Sequence, residues 1–124
     1  MATGWILVVD DEPEACRIIC ETLDDLGCKA VGARDALVAR SAMEGAGSPP
    51  CVIVLDLMMP GMTGWQFREW QRKEPRFAGV PVVVVSAIRD LHAEAAKLEV
   101  DYLAKPAGFG ELLEKVERYC GPCG

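Results

Sequence analysis

Asp10, Asp11, Asp56, Ser86 and Lys105 are the residues of this chain whose types and positions could do chemistry together. Each stands at or just after the end of an apolar run: Ile6 to Val9 leads into Asp10-Asp11-Glu12, Val52 to Leu55 into Asp56, Pro81 to Val85 into Ser86, and Val100 to Leu103 is followed by Lys105-Pro106. Carboxylates gathered at one edge repel, by about 4 kcal/mol for a pair ~4 Å apart at an effective dielectric of ~20. Something cationic must stand among them. Lys105 supplies one charge, and a hard divalent cation supplies another; oxygen ligands with no His or Cys beside them suit Mg2+. A magnesium site with a lysine and a hydroxyl stabilises a transferring phosphoryl group, and an aspartate can accept that group as a nucleophile. Asp56 is the candidate nucleophile.

Those ends have to be positioned by strands. The runs from Trp5 to Val9, Val52 to Leu55 and Val80 to Val85 are unbroken and β-branched, as in strands covered on both faces. Shorter strands are expected at Cys28 to Val31 and Val100 to Leu103. Between them the apolar residues recur at helical spacing. Cys16, Ile19, Cys20, Leu23 and Leu26 mark a first helix after Pro13, stopped by Gly27. A second runs from about Asp35 to Glu44, a third from Gly64 to about Lys73, a fourth through Leu91, Ala95 and Leu98, and a fifth through Phe109, Leu112, Leu113, Val116 and Cys120. Trp70 lies off the third helix's apolar stripe and is expected to be partly exposed.

Alternating strands and helices over 124 residues imply βαβ units with right-handed crossovers, an α/β fold with helices on both faces of a parallel sheet. Ligands bind such sheets outside the carboxyl ends of the strands, where the strand order reverses. With the flavodoxin-like order 2-1-3-4-5, in a three-layer sandwich of five strands and five helices, Asp10, Asp11, Asp56, Ser86 and Lys105 converge on one pocket.

Size and charge narrow the classes. The length allows one domain, 1–124, and leaves no room for a second core. A net charge of -6 and a pI near 4.8 argue against direct nucleic-acid binding. No apolar run approaches the ~20 residues of a membrane span, and the N-terminus lacks a signal-peptide pattern, so the expected location is cytoplasmic. Of the six cysteines, Cys16, Cys20 and Cys51 fall on apolar faces and read as small buried hydrophobes, with Cys28 similar. Cys120-Gly121-Pro122-Cys123 has the spacing of a thioredoxin-type redox motif, but at a helix C-terminus the dipole disfavours a thiolate, and termination by Gly-Pro is the better account.

The residues resemble the receiver domains of two-component response regulators over essentially the whole chain. The resemblance is carried by Asp10-Asp11, by Asp56-Leu57-Met58-Met59-Pro60-Gly61-Met62-Thr63-Gly64, by Ser86-Ala87, and by Tyr102 three residues before Lys105-Pro106. It implies a phosphorelay switch in which Asp56 is phosphorylated by a sensor histidine kinase, a phosphotransfer protein or a small phosphodonor. It further implies that Asp11, Asp56 and the backbone carbonyl of Met58 bind Mg2+, with Asp10 helping through water. Ser86 would hydrogen-bond the phosphoryl group, Lys105 would pair with it, Tyr102 would turn inward, and the Lys105-Pro106 bond would be cis. Output would pass through the face of helix 4, strand 5 and helix 5 to a downstream protein, to an output domain outside this chain, or into a phosphorylation-dependent dimer.

This chain departs from the resemblance in three places. It looks about three residues short around helix 4. Ala107-Gly108 opens helix 5 without a side-chain cap, so its start is expected to fray. Met58 and Ile88 are apolar where some receivers orient a hydrolytic water, which implies a long-lived aspartyl phosphate.

Taken singly, each residue has a plainer reading. Asp10-Asp11-Glu12 could complement a helix dipole, Ser86 could cap a helix, Lys105 and His92 could be solvated, and Tyr102 could be an ordinary strand residue. Two other functions compete with this one. An aspartate-nucleophile phosphatase or phosphotransferase usually carries a second acid two residues after the nucleophile, where Met58 stands. A binding module independent of phosphate would have no use for the intact set of five. No turnover of a separate substrate is expected.

Overall fold

The computed structural model describes residues 4–59 and 61–123. Five parallel strands, β1 (Ile6–Val9), β2 (Ala30–Ala33), β3 (Val52–Leu55), β4 (Val82–Ser86) and β5 (Asp101–Ala104), lie in the order β2-β1-β3-β4-β5. They alternate with α1 (Pro13–Asp25), α2 (Ala36–Gly45), α3 (Gly64–Lys73), α4 (Leu91–Leu98) and α5 (Phe109–Cys120). This is the flavodoxin-like sandwich anticipated above.

The two-residue period of a strand sorts the core into its two layers. Leu7, Val9, Ile53, Leu55 and Val84 face the side closed by Met43, Phe67 and Leu91 from α2, α3 and α4. Ile6, Val8, Val52, Val54 and Val83 face the side closed by Leu23, Leu112 and Val116 from α1 and α5. The central strands β1 and β3 are buried throughout, which is why they read as unbroken apolar runs. Their register pairs Val9 with Leu55, so Asp10 and Asp56 emerge side by side.

Local chemistry explains the helix ends. Pro13 sits in the first turn of α1, Asp35 caps α2 by accepting the Val38 N–H, and Thr63 caps α3 in a reciprocal pair with Gln66. Gly64 must be glycine, because a Cβ there would stand 2.6 Å from both the Asp56 carbonyl oxygen and Leu57 Cα. The turn after β3 therefore folds tightly over its own strand end. Pro60, part of the Asp56 to Gly64 motif, lies outside the described residues. Trp70 is partly exposed, as expected from its place off the stripe.

Several expectations are revised. β2 begins at Ala30 rather than Cys28, because the Cys28 N–H still closes α1 by donating to the Leu23 carbonyl. β4 and β5 likewise start one or two residues later than the apolar runs suggest. At the start of α5 the Glu111 carboxylate accepts the Gly108 N–H at 3.4 Å, while no side chain caps the first-turn N–H groups, as the sequence implied. The cysteines differ most. Cys28 is bonded to Cys123 and Cys51 to Cys120, with Cα separations of 5.0 and 5.4 Å, while Cys16 and Cys20 remain free thiols. The pairs span 95 and 69 residues, a proximity created when α5 returns beneath the amino ends of β2 and β3. Gly121, at φ 85°, ends α5 as the Gly-Pro reading requires, but the flanking thiols are not bonded to each other.

Candidate functional site

At the carboxyl edge of the sheet, β1 delivers Asp10 and Asp11 and β3 delivers Asp56. One carboxylate oxygen of each lies within 4.8 Å of the others, an arrangement able to hold a cation. Asp10 and Asp56 are buried and Asp11 is partly so. Backbone N–H groups brace two of them: Glu12 donates to Asp10 Oδ1 at 2.9 Å, and Met58 donates to Asp56 Oδ1 at 3.1 Å. From the far side of the sheet Lys105 reaches across, its Nζ 3.3 Å from Asp56 Oδ2 and 3.7 Å from Asp10 Oδ2.

One lysine does not neutralise this cluster. Burial raises the Asp56 pKa above its ordinary value; the Met58 N–H and Lys105 pull it back, Asp10 opposes them, and the net shift is upward. Partial burial pulls the Lys105 ammonium down, yet Asp10 and Asp56 outweigh it and hold its pKa above the usual range. The site thus has surplus negative charge and hard oxygen donors, the condition a small divalent cation relieves.

Ser86 ends β4 almost fully buried, its Oγ accepting the Ile88 N–H at 3.4 Å. The Lys105 N–H donates to the Ser86 carbonyl at 2.9 Å, which ties the ends of β4 and β5 together. The Lys105-Pro106 peptide is cis, as the resemblance implied. Asp10, Asp11, Asp56 and Lys105 therefore meet at one place, with Ser86 joined to it through the backbone of Lys105. Tyr102 stands apart on β5, partly buried, its hydroxyl 2.6 Å from Nδ1 of His92 on α4. His92 is exposed, as expected, but sequence reasoning missed this partnership. The pair sits ten residues apart on two elements, and nothing in their spacing announces it.

A groove of about 560 Å³ opens beside the cluster, polar at Asp10, Asp56 and Lys105 and apolar along Ile18, Ile19 and Phe109. An accessible buried carboxylate flanked by a lysine and two further acids is equipped to accept a phosphoryl group. The family model for the response regulator receiver domain matches residues 6–117. The chain belongs to that family. Relatives of this receiver domain include the phosphate regulon transcriptional regulatory protein PhoB of Escherichia coli, 33% identical over 116 residues that cover 90% of this chain and 49% of that protein. An uncharacterized 14.6 kDa protein of Leptolyngbya boryana is 32% identical, covering 93% of this chain and 88% of its own length. The receiver spans about half the length of the first curated relatives it matches, at 45% and 49%. Among solved structures, a response regulator receiver protein from Pseudomonas putida superimposes with a TM-score of 0.86 at 30% identity, covering 95% of this chain and 98% of that one. The receiver domain of the Francisella response regulator 1452 gives a TM-score of 0.84 at 28% identity, covering 94% and 96%.

Proposed function

We propose that Asp56 is the phosphoacceptor of this receiver and that the surrounding residues divide the work of transfer. A carboxylate oxygen of Asp56 attacks the phosphorus of a phosphohistidine or small phosphodonor, the bond to the donor breaks, and an aspartyl phosphate remains. Asp10, Asp11, Asp56 and the Met58 carbonyl would hold Mg2+, whose chemistry is to neutralise charge on the phosphoryl oxygens. Lys105 supplies a second fixed positive charge, and the Ser86 hydroxyl donates to a phosphoryl oxygen once the group is in place. Tyr102 follows the rearrangement of β4 and Lys105 and alters the face made by α4, β5 and α5, biasing a two-state equilibrium toward a partner-binding form.

The observation that carries this reading is the Lys105 ammonium held 3.3 Å from Asp56 Oδ2 in a cluster of three acids. The unit is a single domain, 1–124, working in the cytoplasm beside a sensor histidine kinase or phosphotransfer protein. Among the described residues, no helix is long and apolar enough to cross a membrane. It signals to a downstream protein or an output domain, directly or by dimerising, and turns over no separate substrate.

Incubation with Mg2+ and acetyl phosphate, read by intact mass, tests the assignment. One phosphoryl group per chain, absent without Mg2+ and absent in Asp56→Asn, is the expected result. Labelling that persists in Asp56→Asn removes Asp56 from the role, and sustained release of phosphate over many turnovers makes the protein an enzyme instead.

A further inference from the structure

Four cysteines converge at the edge of the sheet opposite the acidic cluster. Cys51 immediately precedes β3, Cys28 lies two residues before β2, and Cys120 and Cys123 stand at and just beyond the end of α5. The bonds Cys51–Cys120 and Cys28–Cys123 fasten the foot of α5 to the feet of two strands. Five residue steps of extended chain lead from Cys51 to Asp56, about 17 Å, so one strand carries the proposed phosphoacceptor at its head and a cross-link at its foot.

We propose that these cysteines form a thiol–disulfide exchange site, through which a low-molecular-weight thiol and its disulfide, of the glutathione class, set how firmly α5 is bolted to the sheet. Burial decides the point of entry. Cys28 and Cys120 are buried, whereas Cys123 and Cys51 are only partly buried, so the less buried residue of each bridge is the side from which a small thiol enters. A small thiolate attacks Sγ of Cys123; the Cys28–Cys123 bond breaks, and Cys28 leaves with the electron pair and takes up a proton. A second thiolate attacks the mixed disulfide at its small-molecule sulfur, releasing the Cys123 thiol and the small disulfide. Two small thiols become one disulfide while one protein disulfide becomes two thiols, and the reverse sequence restores the bridge. The same steps at Cys51 open Cys51–Cys120.

Cytosolic disulfides are in the main transient and redox-sensing, so in that compartment these pairs act as a reversible device. The thiol chemistry stands by itself; its bearing on output rests on the receiver reading, because α5 belongs to the proposed output face while its head, Phe109, lines the groove beside Asp56. With the foot released, the last turn of α5 loses both covalent tethers and is left to its apolar stripe and to the polar contacts of Lys115, Arg118 and Tyr119 with Asp101.

The test equilibrates the 124-residue chain in glutathione buffers from oxidised to reduced, blocks thiols with iodoacetamide in denaturant, and maps the linked peptides. The oxidised end is expected to show two blockable thiols, Cys16 and Cys20, with Cys28 linked to Cys123 and Cys51 to Cys120. The reduced end is expected to show all six, with amide exchange at residues 116–120 faster by tenfold or more and the mass shift at Asp56 with acetyl phosphate retained. Cys123→Ser should lose only the Cys28 linkage. Six free thiols at every buffer ratio, a Cys120–Cys123 linkage, unchanged exchange in α5 on reduction, or one chelatable zinc per chain held by the four thiols would each overturn the proposal. Loss of labelling at Asp56 in both redox forms would instead count against Asp56 as the phosphoacceptor, leaving the thiol map to be judged separately.

Discussion

Met58 concentrates the chemical individuality of this receiver in one side chain. Its backbone N–H braces Asp56 and its carbonyl is a proposed metal ligand, but its side chain is 60% exposed and apolar, offering no hydrogen bond to a water approaching the phosphoryl group. Ile88, at the corresponding distance beyond Ser86, packs against the core and offers none either. The aspartyl phosphate should therefore be slow to hydrolyse. Met58→Asn, which disturbs no buried packing, is expected to speed loss of the phosphoryl group by about tenfold, since an oriented water raises the fraction of reactive encounters. A phosphate-release time course on the labelled protein checks it, and an unchanged or slower decay removes this account. Gly64 is the second residue whose identity follows from one contact. Alanine there would force its Cβ into the Asp56 carbonyl and Leu57 backbone, and Gly64→Ala should destabilise the fold by about 1–3 kcal/mol in urea unfolding.

At the scale of elements, the proposed output face is held by two different devices. α4 is fixed from α3: Arg68, itself buried, donates to the carbonyls of Leu98 and Glu99 at the end of α4 and to Gln71, and Trp65 donates to Glu94. The helix is only eight residues long, with Asp90 and Glu99 in left-handed conformations at its two ends, so its boundaries are set by backbone turns and by α3. β5 is joined to α5 through Asp101, whose carboxylate accepts from Lys115 at 2.8 Å and Tyr119 at 3.0 Å and lies 3.5 Å from Arg118. Partial burial raises the Asp101 pKa, but Lys115, the Tyr102 N–H and Tyr119 outweigh it and leave the carboxyl below its ordinary value. A folded-state pKa depressed in this way contributes stability above the unfolded value of 3.8, and that contribution fades as pH falls through the lower folded value. Asp101→Asn is accordingly expected to cost about 1 kcal/mol at neutral pH. Its difference from wild type should shrink below pH ~4. Urea midpoints measured at both pH values decide the point, and a gap that widens in acid contradicts it.

For the whole molecule, the cross-links matter through the unfolded chain. Bridges that close loops of 95 and 69 residues each remove roughly 4–5 kcal/mol of loop-closure entropy in the chain-entropy account, and because one loop lies within the other the second adds less. Full reduction should lower unfolding stability by several kcal/mol without changing the fold, because the two apolar layers of the sheet persist. Urea unfolding with and without reductant measures the difference; equal midpoints would show that the bridges do not constrain the unfolded state.

The five strands, the five helices and the acidic cluster were legible from the chain alone because each depends on local order. A buried parallel strand must be an unbroken apolar run, a helix must repeat its apolar face, and ligands of this fold bind at the carboxyl ends of strands, so Asp10, Asp56 and Lys105 stand out as candidates by position. Strand starts were less legible, since an apolar run does not record where pairing begins: Cys28 is apolar and buried yet belongs to the turn that closes α1. What only the tertiary structure decided are the contacts between segments with no periodic relation. The Tyr102 hydroxyl found His92, Arg68 found the end of α4, and the cysteines at 28 and 51 found those at 123 and 120. Those meetings arise when crossovers fold helices back along the sheet, a geometry that the order of residues entails but no single stretch displays.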